Sequence, residues 1–287
     1  MPIITTFNTG LFRGLIDEVD RRRDKLIDEL IDLEADVVCL QEVWLSQEDD
    51  GTWSADDLQR IVTGVEEAYP YHWSGRGEGI EEGFVGGGHH GLLILSRHPF
   101  LARGVRSLPS VLIQRAVLHA RIDVADYGVV DVFNTHVAAD LSHLFAHPGG
   151  RFSSFVEEQG AQLDMTLSWI EEISGSNGVI LAGDLNTGPE GEAMVAELPE
   201  NFAKFRATGF FNANIDGHPH SFPTYCAENS LTTTDVDRAI DHILLDLGGG
   251  PPVLDEVRRL WDKPLIETSE GRLLHLSDHY GLLVSFH

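Results

Sequence analysis

Basic residues are scarce in this chain. Lysine occurs three times, at Lys25, Lys204 and Lys263, and the 20 Lys and Arg face 46 Asp and Glu, a formal net charge of -26. Non-specific binding to nucleic acid depends on cations that displace counterions from phosphates. A surface of this sign repels polyanions, which disfavours a processive or non-specific nuclease. Solubility, or adaptation to salt, is the plainer account of the acidity.

Cysteine is scarcer still, with Cys39 and Cys226 alone. Two cysteines do not build a disulfide framework, so the chain leans to a reducing compartment. Cys39 lies in the apolar run Val37-Val38-Cys39-Leu40 and reads as a core residue. No segment approaches the roughly 18 apolar residues of a membrane span. The first residues, Met1 to Asn8, already read as a strand with no basic or long apolar leader before it. The expected location is the cytoplasm, with secretion after removal of a leader as the alternative. No long polar tract, repeat or interdomain linker interrupts the 287 residues, and 42% of them are hydrophobic, so one domain over 1–287 is expected.

Strand-like and helix-like segments alternate. Ile3–Phe7, Val37–Leu40, Gly91–Leu95, Val179–Ala182, Ala239–Leu245 and Leu282–Phe286 read as strands. Residues 15–33 carry Leu15, Val19, Leu26, Leu30 and Leu33 among charges, which predicts an amphipathic helix. Asp56–Tyr69 and 156–173 read as further helices. Ala116–Val124 and Val129–Phe133 flank Asp126-Tyr127-Gly128 and predict a hairpin. The glycine-rich pieces 75–88 and 248–250 read as loops, and the adjoining His89-His90 as part of a flexible one. A β-rich chain with inserted helices points to an α/β protein with mixed sheets.

Unusual polar residues follow or precede these apolar runs. Asn8 follows the first strand and Glu42 the second. Asn134 and His136 follow Val129–Phe133, and Asp184 and Asn186 follow Val179–Ala182. Asp241-His242 sits within the run Ile240–Leu245, and Asp278-His279 precedes the last strand. Taken singly, each has a plainer reading as a turn, a cap or a solvated strand edge. Together they spell phosphate-ester cleavage. A hard cation such as Mg²⁺ takes carboxylate or amide oxygens and keeps waters, and Glu42 with Asn8 can supply them. Asp184 can orient or deprotonate a water, and Asn186 can donate to a phosphoryl oxygen. A histidine moves protons near neutral pH, and Asp241 is the candidate carboxylate to orient His279.

In these pieces the chain resembles the endonuclease/exonuclease/phosphatase superfamily. The pieces are Thr6-Phe7-Asn8, Leu40-Gln41-Glu42-Val43-Trp44, Asn134-Thr135-His136, Gly183-Asp184-Leu185-Asn186, Ile240-Asp241-His242 and Ser277-Asp278-His279, in the family's order. The resemblance implies a four-layer α/β/β/α sandwich of two packed mixed β-sheets flanked by helices. It implies Glu42 as the main Mg²⁺ ligand, with Mn²⁺ as an alternative ion, Asn8 close to metal and phosphate, and Asp278 near a metal. Asp184 and Asn186 would position nucleophile and phosphate, His136 would contact the phosphate or leaving group, and Asp241 would orient His279.

Within the superfamily the neutral sphingomyelinase branch is most similar. Trp44, the run Gly91-Leu92-Leu93-Ile94-Leu95-Ser96-Arg97-His98-Pro99, and Asn134-Thr135-His136-Val137-Ala138-Ala139 carry that likeness. The stretch 140–159, with His143, His147 and Gly149-Gly150, departs from that branch's tyrosine-rich pattern. The expected activity is a Mg²⁺-dependent phosphodiesterase acting on a phospholipid or small phosphodiester, in transient contact with a membrane where the substrate is a lipid. A metal-dependent nuclease is one alternative. A phosphomonoesterase on inositol phosphates is another, and would recruit Arg76, Arg97, Arg115 or Arg151. Phe152, Phe155, Phe210, Phe211 and Phe222 read mainly as core.

Overall fold

The computed structural model describes residues 1–44, 46–47, 53–54, 56–76, 89–125 and 127–287. Residues 77–88 of the loop expected over 75–88, and Asp126 of the hairpin turn, lie outside the described residues. In chain order the elements begin with β1 (Ile3–Asn8), α1 (Val19–Asp32), β2 (Val37–Gln41), β3 (Ser46–Gln47) and β4 (Trp53–Ser54). Next come α2 (Asp56–Gly64), β5 (Tyr71–Trp73), β6 (Leu93–Ser96), β7 (Phe100–Leu108), β8 (Arg115–Val124) and β9 (Gly128–His136). Then follow α3 (Phe155–Ser174), β10 (Gly178–Asp184), α4 (Pro199–Ala207), β11 (Phe211–Asn212) and β12 (Asp241–Asp246). β13 (Leu254–Leu260), β14 (Ile266–Glu267), β15 (Leu273–Leu274) and β16 (Gly281–Phe286) come last.

Two six-stranded sheets form, in the orders β13-β16-β1-β2-β6-β5 and β11-β12-β10-β9-β8-β7. The second is drawn from one continuous stretch of chain, and the first from the segments on either side of it. Each sheet holds one parallel pair, β1 with β2 and β9 with β10. A parallel pair needs a crossover, and α1 and α3 are those crossovers.

The apolar runs are continuous because the central strands are buried on both faces. Side chains alternate between faces. Val37 and Cys39 of β2 therefore enter the layer between the sheets, where they join Ile94, Val132, Ile180, Ala182, Ile243 and Val284. Val38 and Leu40 point the other way, onto Leu26 and Leu30 of α1 and Leu58 and Ile61 of α2. On the outer face of the second sheet, Val179, Leu181 and Leu244 meet Leu163 and Ile170 of α3 and Phe202 and Phe205 of α4. The result is the expected α/β/β/α sandwich. Each buried aliphatic side chain contributes about 1.5–3 kcal/mol.

Local signals set the ends of α3. Ser154 accepts from Glu157 N at 3.1 Å, and the Glu157 carboxylate accepts in return from Ser153 N at 2.8 Å. Some expectations need correction. The second helix stops at Gly64, short of the predicted Tyr69. The first helix begins at Val19, and Leu15 is exposed in the turn before it. His89 and His90 are not in a flexible loop: both are fully buried, stacked with ring centroids 4.5 Å apart, and accept from Gly91 N and Leu92 N. Strands β7 and β13 carry no apolar run, because edge strands keep one face in water. Phe152, Phe155 and Phe210 are buried, as expected.

Candidate active site

The parallel pairs end where the antiparallel strands β12 and β16 begin, so the predicted polar residues gather at one end of the sandwich. Register does the rest. Asp184, the last residue of β10, stands opposite His136 of β9 on one side and Asp241 of β12 on the other. Three of the residues therefore form a row across adjacent strands. Asn8 and Glu42 arrive from the facing sheet, and Asp278-His279 from the approach to β16.

Gly183 makes the row possible. Its φ is +147°, and a Cβ there would lie 1.9 Å from the carbonyl oxygen of Thr135. Only glycine lets β9 come this close. The turn that follows is also site: Asp184 Oδ1 accepts from Asn186 N at 2.9 Å, and Asn186, at φ 45°, donates from Nδ2 to Val137 O at 3.1 Å.

The other carboxylate oxygen, Asp184 Oδ2, is the meeting point. Asn8 Nδ2 donates to it across the two sheets at 2.9 Å. His136 Nε2 lies 3.4 Å from it and His279 Nε2 3.8 Å. Behind His279, Nδ1 donates to Asp241 Oδ2 at 2.9 Å. Asp241 Oδ1 and His136 Nδ1 are buried without a hydrogen-bond partner among the described residues.

The two histidines are driven apart in charge. Burial, then the charges of Arg115 and His279, push His136 well below the ordinary imidazole value. Burial also opposes charge on His279, but Asp241 and Asp184 together outweigh it and hold His279 well above that value. Asp184 is raised, by burial first and then by Asp241, against the pull of His279 and the hydrogen bonds from Asn8 and Asn186. Glu42 is raised by burial and by the neighbouring charge of Asp278. A pair of groups whose environments separate their proton affinities is the arrangement that acid–base chemistry uses.

The Endonuclease/Exonuclease/phosphatase family model matches residues 5–279. The chain belongs to that family. Solved structures of the same fold include an endonuclease/exonuclease/phosphatase from Beutenbergia cavernae, at 20% identity and TM-score 0.69, over 100% of this chain and 71% of that one. D. rerio TDP2 complexed with single-strand DNA product matches at 19% identity and TM-score 0.69, over 100% and 98% of the two chains. A beta toxin from Staphylococcus aureus matches at 16% identity and TM-score 0.71, over 99% of each. A search of the curated proteins finds no match.

The family hydrolyses phosphoric esters, and its members generally use a divalent metal. The residues here fit one. Asp184, Asp241 and His279 bring ligand atoms within 4.8 Å of one another, but His279 Nδ1 is engaged by Asp241, which leaves the neighbouring carboxylates as the freer donors. Glu42 and Asp278 press like charge together beside them. Gly10 leaves room for that cluster, since a Cβ there would sit 2.6 Å from Asp278 Oδ1. Partly buried oxygen donors of one sign suit a hard divalent cation.

Two supports escaped the sequence. Arg22 sits in a run of three arginines on an amphipathic helix, which reads as solvated. It is fully buried, and its guanidinium donates to the carbonyls of Asp17, Thr9, Gly10 and Leu276 at 2.6–3.1 Å. It thereby braces the loop after β1 against the approach to His279. Asn134 was one of the matched motif residues, yet it does not face the row. It donates to Leu40 O at 2.9 Å and Leu93 O at 3.1 Å and accepts from Gln41 at 2.8 Å, a bolt between the sheets. His242 likewise turns away, bonded to Asn212 and Thr187 O at 2.8 Å each. Of the four arginines considered, Arg115 reaches the site. Arg97 adjoins Asp36 at the opposite end of β2, Arg151 lies over the Phe152 ring, and Arg76 is exposed past β5.

Proposed function

We propose that this chain is a divalent-metal-dependent phosphodiesterase. The observation that carries the reading is the Asp184 carboxylate, buried, fixed by Asn8 and the Asn186 backbone, and faced by His136 at 3.4 Å and His279 at 3.8 Å. Glu42, Asn8 and Asp278 would hold Mg²⁺, with Mn²⁺ as the alternative. When bound, such an ion polarises a phosphoryl oxygen and offsets transition-state charge. Asp184 orients and deprotonates the attacking water. Asn186 retains an amide N–H for a phosphoryl oxygen, and the uncharged His136 contacts the phosphate. His279, charged and held by Asp241, stabilises the developing negative charge and hands its proton to the leaving oxygen.

The substrate favoured is a phospholipid or small phosphodiester, in the manner of a sphingomyelinase. The net charge of -26 and the motifs shared with that branch support it. No described helix is long and apolar enough to cross a membrane, so contact with a lipid substrate would be transient. DNA is the second reading, because TDP2 bound to a DNA product shares the fold. The test is turnover in Mg²⁺ of sphingomyelin, plasmid DNA and inositol phosphates, beside Asp184→Ala and His279→Ala. Sphingomyelin cleavage lost in both variants is expected. Turnover surviving both would sink the site, and cleavage of DNA alone would overturn the substrate.

A further inference from the structure

The segment Thr224-Tyr225 has none of these roles, yet it is fastened to the site on both sides. Thr224 Oγ1 accepts from Asp241 N at 3.1 Å and from Ile240 N at 3.2 Å, and Thr224 O accepts from Tyr280 N at 2.7 Å. Tyr225 N donates to Arg238 O at 3.0 Å, and Arg238 N donates back to Tyr225 O at 2.9 Å. On its other side Tyr225 forms an antiparallel bridge with His279. Residues paired in this way meet through their side chains. The Tyr225 ring accordingly lies against the His279 imidazole, with centroids 4.9 Å apart and planes tilted by 52°.

The backbone that orients Asp241 and His279 thus also fixes where the phenol stands. The side chain is partly buried, and its hydroxyl makes no hydrogen bond to the described residues. Burial raises the phenol first, and then the charge of Asp278; Asp184 and Glu42 add to this against the pull of Arg238. The hydroxyl therefore feels carboxylates that come from both sheets and from the approach to β16, and it faces the space between them. A phenol donates to a carboxylate where it can. None of the three is in bonding position, which leaves the O–H for a group that enters among them.

We propose that Tyr225 is a substrate-contacting residue whose phenol O–H donates to an oxygen of the substrate phosphate. The proposal rests on the hydrolase reading and adds a neutral donor to it. Carboxylates that hold a cation would be drawn off by a second cation beside them, whereas a neutral O–H serves an anionic ligand without competing for them. A bond to a phosphate oxygen is charge-assisted. The ring is already held against His279, so little freedom is lost when that bond forms.

The test is Tyr225→Phe, which keeps the ring against His279 and removes only the hydroxyl. Binding of inorganic phosphate in Mg²⁺, followed by calorimetry, should weaken about tenfold or more. Turnover of bis(4-nitrophenyl) phosphate should fall about 10- to 100-fold in kcat/KM, the scale of one hydrogen bond to a charged group. The His279 titration, followed by NMR in the metal-free protein, should stay where it is in the wild type. Tyr225→Leu removes the ring as well and should move that titration, which separates packing on His279 from contact with the phosphate. Phosphate affinity equal in the wild type and the phenylalanine variant, or absent from both, would overturn the proposal. So would a His279 titration that moves as far in the phenylalanine variant as in the leucine variant, since Tyr225 would then act through the histidine. Tyr225-dependent phosphate binding in a wild-type protein that hydrolyses no phosphodiester would instead sink the hydrolase reading and leave the phosphate contact standing.

Discussion

His279 Nδ1 donates to Asp241 Oδ2 at 2.9 Å, while its Nε2 stands 3.8 Å from Asp184 Oδ2. One imidazole therefore spans two carboxylates on neighbouring strands, and its ring orientation is set by the one it does not share with His136. Asp241→Asn keeps the size and removes the charge. It should lower kcat by about 10²–10⁴ with little change in fold, the range found when a general acid–base group is lost. The His279 imidazole should also titrate lower in NMR of the metal-free variant. In the metal-free wild type its raised value stabilises the fold below about pH 6.5 and that contribution fades as pH rises through the raised value. An unchanged His279 titration in Asp241→Asn would refute the pairing.

Desolvation raises the Glu42 carboxyl, and the like charge of Asp278 adds to the effect. A bound divalent ion relieves both. Mg²⁺ or Mn²⁺ should raise the melting temperature of the wild type, and a chelator should abolish turnover. Glu42→Gln should lose most of the metal-induced shift. A shift of the wild-type size in that variant would place the metal elsewhere.

Asn134 makes three buried hydrogen bonds that cross from one sheet to the other, two to carbonyls and one from Gln41. Asn134→Leu strips the Leu40 and Leu93 carbonyls of a donor and puts an apolar side chain against the Gln41 amide, which keeps Thr6 Oγ1 and Cys39 O as acceptors. We expect a loss of about 2–4 kcal/mol in urea unfolding, since a buried group left unsatisfied costs about 1–3 kcal/mol. A loss within 0.5 kcal/mol, the usual range for surface sites, would show that the bolt is dispensable.

Burial holds His90 well below the ordinary imidazole value, and the stacked His89 lowers it further. The unfolded chain then takes up a proton that the folded chain refuses, so this contribution to stability is complete above about pH 6.5 and declines as pH falls toward the folded value. His90→Phe should cost stability at pH 7.5, and that cost should shrink at pH 5, where only the wild type carries the proton penalty. A cost independent of pH would mean that His90 titrates normally in the fold.

The strand ends were legible because a strand buried on both faces is a short apolar run, and any polar residue at its limit stands out. Asn8, Glu42, His136, Asp184, Asp241 and His279 all stand out that way, whereas the pattern alone gives no more than mixed sheets with helices, and the four-layer sandwich follows from the family resemblance. The sequence by itself determined which residue types end which strands and in what order. Their meeting was decided by register: Asp184 lies opposite both His136 and Asp241 because β9 runs parallel to β10 and β12 antiparallel. Local periodicity carries no information on such pairings, nor on the close contact that Gly183 permits. Burial of charge was equally illegible. Arg22, His90 and Arg115 look like surface residues in sequence, and only the carbonyls, rings and carboxylates brought around them from distant segments let the fold keep them inside.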